Sequence, residues 1–432
     1  MGPAQSREMS GSRILITGTG AVCGAGMTPD SILDEVSAGR SSFGPITLWD
    51  TAGWPCRIAA EIPDFNPRAL VDDRKLHKLI RRTDLVGIYA AGSALDAAGV
   101  VEHRAALEPV AATTFNDRTG VFVGSGGGNY QNQYDFFPLM TEAHGDLSSF
   151  GRELTNVVNP MWLLRTLPNN VLGHIGIRYM LKGPNTCITN HSCAGAQTVI
   201  EAAASLRAGE ADRAVAVGHD TPIEPEMVLY YYRLGLLAMS QLLPFDARRT
   251  GSLFGEGAGS MVLETEASAT ARKAPVIGEY LGGGYACEAQ GLIAIRDDGD
   301  GVARAVTQAL DDAGIRASDV GMLVAHGNGT PQSDASEAAA IRQVFGSAPP
   351  PVTGFKWSFG HLIAAAGIAE ATVALAALKR GVVPGIAVWT TPDPDCAGVP
   401  VSASAREPTS DIALVICRGF ASTNAALLVR AL

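Results

Sequence analysis

The chain has 432 residues, 47% of them hydrophobic and 49 of them glycine, with a formal net charge of −10. That length buries a large core, or two fused halves of one. The acidic balance argues against a nucleic-acid partner, and no run approaches the ~18 apolar residues of a membrane span. Seven cysteines, at 23, 56, 187, 193, 287, 396 and 417, show neither a CxxC pair nor a zinc spacing. Most lie in apolar strand-like runs, so reduced thiols in a cytoplasm are expected, with no metal and no cofactor.

The first thirteen residues are polar and lack the apolar centre of a signal peptide. Ile14 to Val22 reads as a buried strand entering a glycine turn. Its Gly18-Thr19-Gly20 lacks the third glycine and the acidic residue of a dinucleotide loop, so its expected role is structural. Residues 41–75 are rich in Pro, Asp and Trp and read mainly as loop. Thr83 to Ala98 reads as an Ala-rich helix stopped by Gly99. Val121 to Val123 reads as a strand and Gly124 to Gly128 as a flexible turn. Residues 129–165, polar and aromatic, read as an insertion over a pocket or a dimer surface.

The stretch from Leu167 to Asp212 organises the rest. Thr186 to Thr189 reads as a short strand, Asn190 to Gly195 as a sharp turn, and Ala194 to Ala208 as a helix ended by Gly209. A strand, a tight turn and a helix start place one side chain where first-turn N–H groups favour developing negative charge. That suits a nucleophile; a buried corner built from small residues fits the pattern equally well. Ala214 to Gly218 is a further buried strand, and Leu243 to Glu264 is a glycine-rich approach to another.

The second part repeats the first. Ala305 to Gly314 echoes Ala90 to Gly99, and Met322-Leu323-Val324 echoes Val121-Phe122-Val123. Ala364 to Gly381 reads as an Ala-rich helix like that from Ala194 to Gly209. Ile412 to Leu428 reads as strand, turn and strand, like Leu253 to Leu263. Strands alternating with such helices imply parallel sheets covered by helices, here a duplicated α/β unit with a site where the halves meet.

Several ordered motifs between Ile14 and Leu428 resemble those of β-ketoacyl synthases of the fatty-acid and polyketide type. They are LPNNVLGHIGIRYMLKGPN from Leu167, LPFDARRTGSLFGEGAGSMVLE from Leu243, His326-Gly327-Asn328-Gly329-Thr330-Pro331, Lys356 with His361 to Gly367, and Gly419 to Asn424. The resemblance implies an α/β thiolase fold, with duplicated halves in five layers, α-β-α-β-α. The halves would span residues 12–265, with the nucleophile, and 275–432, with two histidines. Ser192 lies nine residues after Gly183, where the family has its cysteine, and the count back from Gly209 agrees. Ser192 is therefore the expected nucleophile, with the adjacent Cys193 as alternative.

By the same resemblance His326 and His361 would donate to an enolate oxygen, and Lys356 would hold a histidine or Glu337. Phe420 would gate the acyl pocket and a backbone N–H near it complete an oxyanion hole, with Glu337 and Asn424 beside them. Ala421 and Ser422 stand where the family has two glycines, which stiffens the gate. The six other histidines are expected to be structural, His191 being set apart because it adjoins Ser192. The implied activity is acyl transfer with decarboxylative condensation, on phosphopantetheine thioesters of an acyl carrier protein, in a homodimer or heterodimer. The alternatives are a chain-length-factor-like partner subunit and a malonyl decarboxylase.

Overall fold

The computed structural model describes residues 13–127, 134 and 136–432. The first twelve residues, the Gly128 end of the expected glycine turn, and residues 129–133 and 135 of the expected insertion lie outside the described residues. Ten strands form one sheet. They are β1 Ile14–Cys23, β2 Thr119–Ser125, β3 Asn185–Ile188, β4 Arg213–Asp220 and β5 Gly257–Thr265. In the second half they are β6 Gly278–Cys287, β7 Met322–Val324, β8 Val352–Thr353, β9 Ile412–Gly419 and β10 Thr423–Ala431. The spatial order is β8-β7-β9-β10-β6-β1-β5-β4-β2-β3. Read outwards from the centre, the two halves have the same topology. Within the ten-stranded sheet they join where Ile14–Ile16 of β1 pairs with Gly278–Tyr280 of β6.

The halves are not wholly parallel, as their alternation with helices suggested. In each, four strands run one way and one, β5 or β10, runs against both of its neighbours. The short turn between β9 and β10 dictates this in the second half, because so few residues join only antiparallel neighbours. The expected echo of Ile412–Leu428 in Leu253–Leu263 is corrected accordingly. β9 and β10 correspond to β4 and β5, which are separated by a long loop containing helix α3, Pro225–Arg233.

The helices make the remaining layers. α1 (Arg82–Ala97) covers the outer face of the first half and α4 (Asp300–Ala313) that of the second. Between the two sheet halves lie α2 (Ala194–Arg207) and α6 (Ala366–Lys379), packed against each other. α6 is buried from Ala366 to Leu378, which explains why its sequence is apolar on every face. Close approach of these two helices requires glycine. A Cβ on Gly195 would lie 2.5 Å from the Ala364 carbonyl oxygen, and one on Gly218 2.6 Å from the Ile368 side chain. The result is the five-layered thiolase arrangement, with the N-terminal ends of both central helices meeting at one place.

The described part of the 129–165 segment forms three short helices, Phe137–Glu142, Leu147–Val157 and Trp162–Thr166. They leave Met140, Leu147, Val157, Leu163 and Leu164 exposed. Among the described residues no helix is long and apolar enough to cross a membrane.

Candidate active site

The turn into α2 is a single 3-10 turn, His191–Cys193, following β3. His191 has φ of +45°, and Ile363 in the matching turn before α6 has +44°. In this left-handed bend adjacent side chains diverge. Ser192 faces a small cavity of about 60 Å³, lined also by His191, Tyr231, His326, His361, Phe420 and Asn424. Cys193 turns the other way, is fully buried, and its sulfur lies 3.6 Å from the Cys417 carbonyl oxygen. Burial pushes its thiol up to about 12. Ser192, and not Cys193, therefore opens onto the cavity.

Two imidazoles lie against the Ser192 hydroxyl and a third lines the same cavity. Ser192 Oγ is 3.0 Å from His361 Nε2 and 2.9 Å from His191 Nδ1. The ring of His326 stands edge-on to that of His361, centroids 5.2 Å apart. Backbone N–H groups point at one nitrogen of each ring: Ile363 N at His361 Nδ1, Arg418 N at His326 Nδ1, and Phe420 N at His191 Nδ1, each at 3.3 Å. Each Nδ1 is thus an acceptor, and the network assigns the proton of each neutral ring to Nε2. Burial lowers the pKa of all three, His191 to about 4 and His326 and His361 well below the usual range, the latter two further by the Lys356 charge. The Nε2–H groups of neutral His326 and His361 are hydrogen-bond donors, the form that stabilises a developing oxyanion, whereas that of His191 is directed to Tyr231.

The supporting residues differ from those the sequence suggested. Lys356 pairs with neither histidine nor Glu337; its Nζ donates to Glu370 Oε1 at 2.7 Å, both groups fully buried. Glu370 sits in the middle of apolar α6, where a carboxylate persists only with a charged partner, so its isolation in that helix was the signal for it. Glu337, on helix α5 (Pro331–Phe345), lies behind the cavity. Its carboxylate accepts from His326 N at 2.6 Å and Gly327 N at 2.9 Å, fixing the histidine's backbone and not an oxyanion. Asn424 lines the cavity but donates to Glu288 and the Ser422 carbonyl, so it braces the loop. Tyr231, which sequence reasoning missed, meets His191 Nε2 at 2.8 Å from α3. It lies in a run of three tyrosines with no spacing signal.

Phe420 stacks on His191, centroids 4.3 Å apart and planes 15° apart. Beyond this pair and Tyr231 opens a larger cleft of about 490 Å³, lined by Met227, Tyr230, Leu234, Leu292 and Ile293 and bordered by Asp220 and Glu224. Phe420 thus stands between the small cavity and an apolar cleft. Ala421 and Ser422, which follow it, both have φ of +59°. They hold the left-handed backbone that glycines adopt freely. The loop is fastened by Ala421 N to Leu292 O (2.6 Å), Ser422 Oγ to Gly291 O (2.8 Å) and Glu288 N to Ser422 O (2.9 Å).

Comparison with known proteins agrees with this architecture. Residues 11–269 match the β-ketoacyl synthase N-terminal domain, and residues 277–388 its C-terminal domain. Nodulation protein E of Rhizobium sp. (strain N33) is 32% identical over 97% of this chain and 99% of its own length. A 3-oxoacyl-[acyl-carrier-protein] synthase 2 of Staphylococcus aureus is 29% identical over 97% of this chain and 98% of its own. Among solved structures, the ishigamide ketosynthase/chain length factor has a TM-score of 0.85 and 30% identity, covering 98% of this chain and all of that one. A β-ketoacyl synthase from Burkholderia phymatum STM815 gives 0.86 and 25%, with the same coverage. With both domains matched in order around a shared cavity, the chain belongs to the β-ketoacyl synthase family.

Proposed function

We propose that this chain transfers acyl groups between phosphopantetheine thioesters of an acyl carrier protein by way of an oxygen ester on Ser192. The observation that carries this is the Ser192 hydroxyl itself. It faces the cavity at the start of α2, within hydrogen-bonding distance of two imidazoles, while the only adjacent thiol is buried on the other side. A serine hydroxyl lacks the thiolate population of a cysteine and needs a base beside it, a need this cavity meets. Acyl chains fit the apolar cleft past Phe420. When a malonyl thioester loses carbon dioxide, the enolate oxygen would accept from His326 and His361 Nε2–H, and the enolate carbon would attack the Ser192 ester. Glu337 positions His326 through its backbone N–H, and the buried Lys356 charge, balanced by Glu370, keeps both rings neutral.

The exposed apolar helices between 136 and 167 suit a dimer surface, with a second copy or a homologue. A second reading has its own support. The similarity to a ketosynthase/chain length factor, with serine at the family's cysteine position, fits a pocket-shaping subunit paired with a cysteine-bearing homologue. Intact-mass measurement after incubation with acyl carrier protein thioesters separates the two. An adduct mapping to Ser192 and resisting neutral hydroxylamine supports acyl transfer. No adduct, together with activity only on mixing with such a homologue, supports the subunit reading.

A further inference from the structure

We infer that His191, the residue immediately before Ser192, is the general base that takes the Ser192 proton, so that two adjacent residues form a self-contained nucleophile. This rests on the proposed role of Ser192. The assignment follows from where each ring's proton lies. His361 Nδ1 receives the Ile363 N–H, so its Nε2 carries a proton and can only donate to Ser192 Oγ at 3.0 Å. His326 Nδ1 receives the Arg418 N–H, so its remaining nitrogen is a donor too. His191 is turned the other way round. Its Nε2–H is directed to the Tyr231 oxygen at 2.8 Å, and its unprotonated Nδ1, which also receives the Phe420 N–H at 3.3 Å, faces Ser192 Oγ at 2.9 Å. Ser192 thus accepts from one histidine and donates to another, which uses its single proton once.

The backbone does not explain a histidine here. The matching turn before α6 makes the same left-handed bend with Ile363. The ring is instead held on both sides, stacked on Phe420 and tied to buried Tyr231. Its neutral form persists at physiological pH because burial lowers its pKa to about 4. In the acylation step, the Oγ–H proton moves to His191 Nδ1 as the Oγ–carbon bond forms at the thioester carbonyl. When the carbon–sulfur bond breaks, the leaving thiolate takes that proton from Nδ1 and the ring returns to neutral. His361 Nε2–H remains in place throughout as a donor.

The test uses the full chain and two probes, diisopropyl fluorophosphate and an acyl carrier protein thioester, with adduct mass as readout. Wild type should be labelled at Ser192 by both, at a rate that is flat near neutral pH and falls in acid. His191→Asn should slow both by about 10²-fold or more, as expected for loss of a general base. His361→Asn should keep the acid limb of the profile. In the double variant H191N/S192C, iodoacetamide should alkylate position 192 within about threefold of the rate in S192C, since a thiol at a helix start supplies its own anion. Equal labelling of wild type and His191→Asn would overturn the inference. So would an unreactive H191N/S192C beside a reactive S192C, which would show that His191 only holds the turn together. A wild type that neither probe labels would instead remove the Ser192 nucleophile on which the inference stands.

Discussion

The turn that opens α2 and the turn that opens α6 share a backbone and differ in everything attached to it. Each is a 3-10 turn whose first residue is left-handed, His191 at +45° and Ile363 at +44°. Each is followed by a helix with glycine at its second position, Gly195 and Gly367. The first carries histidine and serine into the cavity; the second carries isoleucine and alanine into the core. The reactive polar groups of the second half sit earlier, at His326 and His361. Duplication has thus supplied two matching mounts, and of the two only the first carries a hydroxyl into the cavity. What the backbone needs at such a turn is therefore visible in Ile363-Ala364-Ala365, and what the chemistry needs is what His191-Ser192 adds to it.

The largest effect expected is on the fitted mount. Ser192→Ala should lower acyl loading by at least about 10³-fold, with no adduct by intact mass. Cys193→Ala should leave loading within about threefold, because its thiol faces Cys417. Ser192→Cys should raise condensing activity by restoring a thiolate. If Cys193→Ala stops loading and Ser192→Ala does not, the contrast between the two turns is misdrawn by one residue.

The helix after the second turn carries a buried ion pair, Lys356–Glu370, with no counterpart on α2 among the described residues. Lys356→Met or Glu370→Leu alone should destabilise by about 3–5 kcal/mol, because each strands a buried charge. The double variant K356M/E370L should regain most of that in urea unfolding, whereas additive losses would show that the two groups do not act as a pair. Gly195→Ala should cost about 1–3 kcal/mol by overpacking against the Ala364 backbone. Gly367→Ala, which meets the Cys417 sulfur and Ala196, should cost no more, since a side chain yields more readily than a main chain. The opposite order in unfolding midpoints would break the symmetry argument.

The smallest effect concerns the acidic border of the apolar cleft. Burial, reinforced by Asp220 and Glu226, raises the Glu224 carboxyl to about 8. The unfolded chain loses this proton in the usual carboxylate range while the folded protein keeps it. Its contribution to stability is therefore present at low pH and is lost as pH rises towards 8. Glu224→Gln should match wild type near pH 4 and exceed it by about two degrees in Tm at pH 8. A constant difference across that range would mean that Glu224 is ionised in the folded protein.

Much of this was legible in the sequence because duplication left its mark in the pattern. The echo of Val121-Phe122-Val123 in Met322-Leu323-Val324 placed β2 and β7 at matching positions, and two Ala-rich helices announced the central layer. Glycine-anchored counting set the register at Ser192. The antiparallel pairs were missed because strand direction is fixed by connection length and tertiary pairing, which apolar runs do not encode. Glu370 was overlooked in favour of Glu337, which lies nearer the histidine motif in sequence; helix packing, not spacing, brought Glu370 to Lys356. Tyr231 and His191 lie forty residues apart, and only the folding of α3 over the turn joins them.

The loop after Phe420 has an energetic consequence. Two non-glycine residues at φ of +59° together carry about 2–3 kcal/mol of conformational strain. Three hydrogen bonds to the segments around Glu288 and Leu292 return about 1 kcal/mol each. With the stack of Phe420 on His191 added, the closed loop should be the major state and the open loop a minor, exchanging one. Because Leu292 belongs to the same hydrogen-bonded unit and lines the mouth, the aromatic plug and part of the rim should swing together as one cooperative piece. Ser422→Gly should relieve strain and remove one bond at once, changing the exchange rate more than the populations. Fluorine NMR on a labelled Phe420 would show two exchanging signals, and a single unexchanging one would mean that the loop is locked.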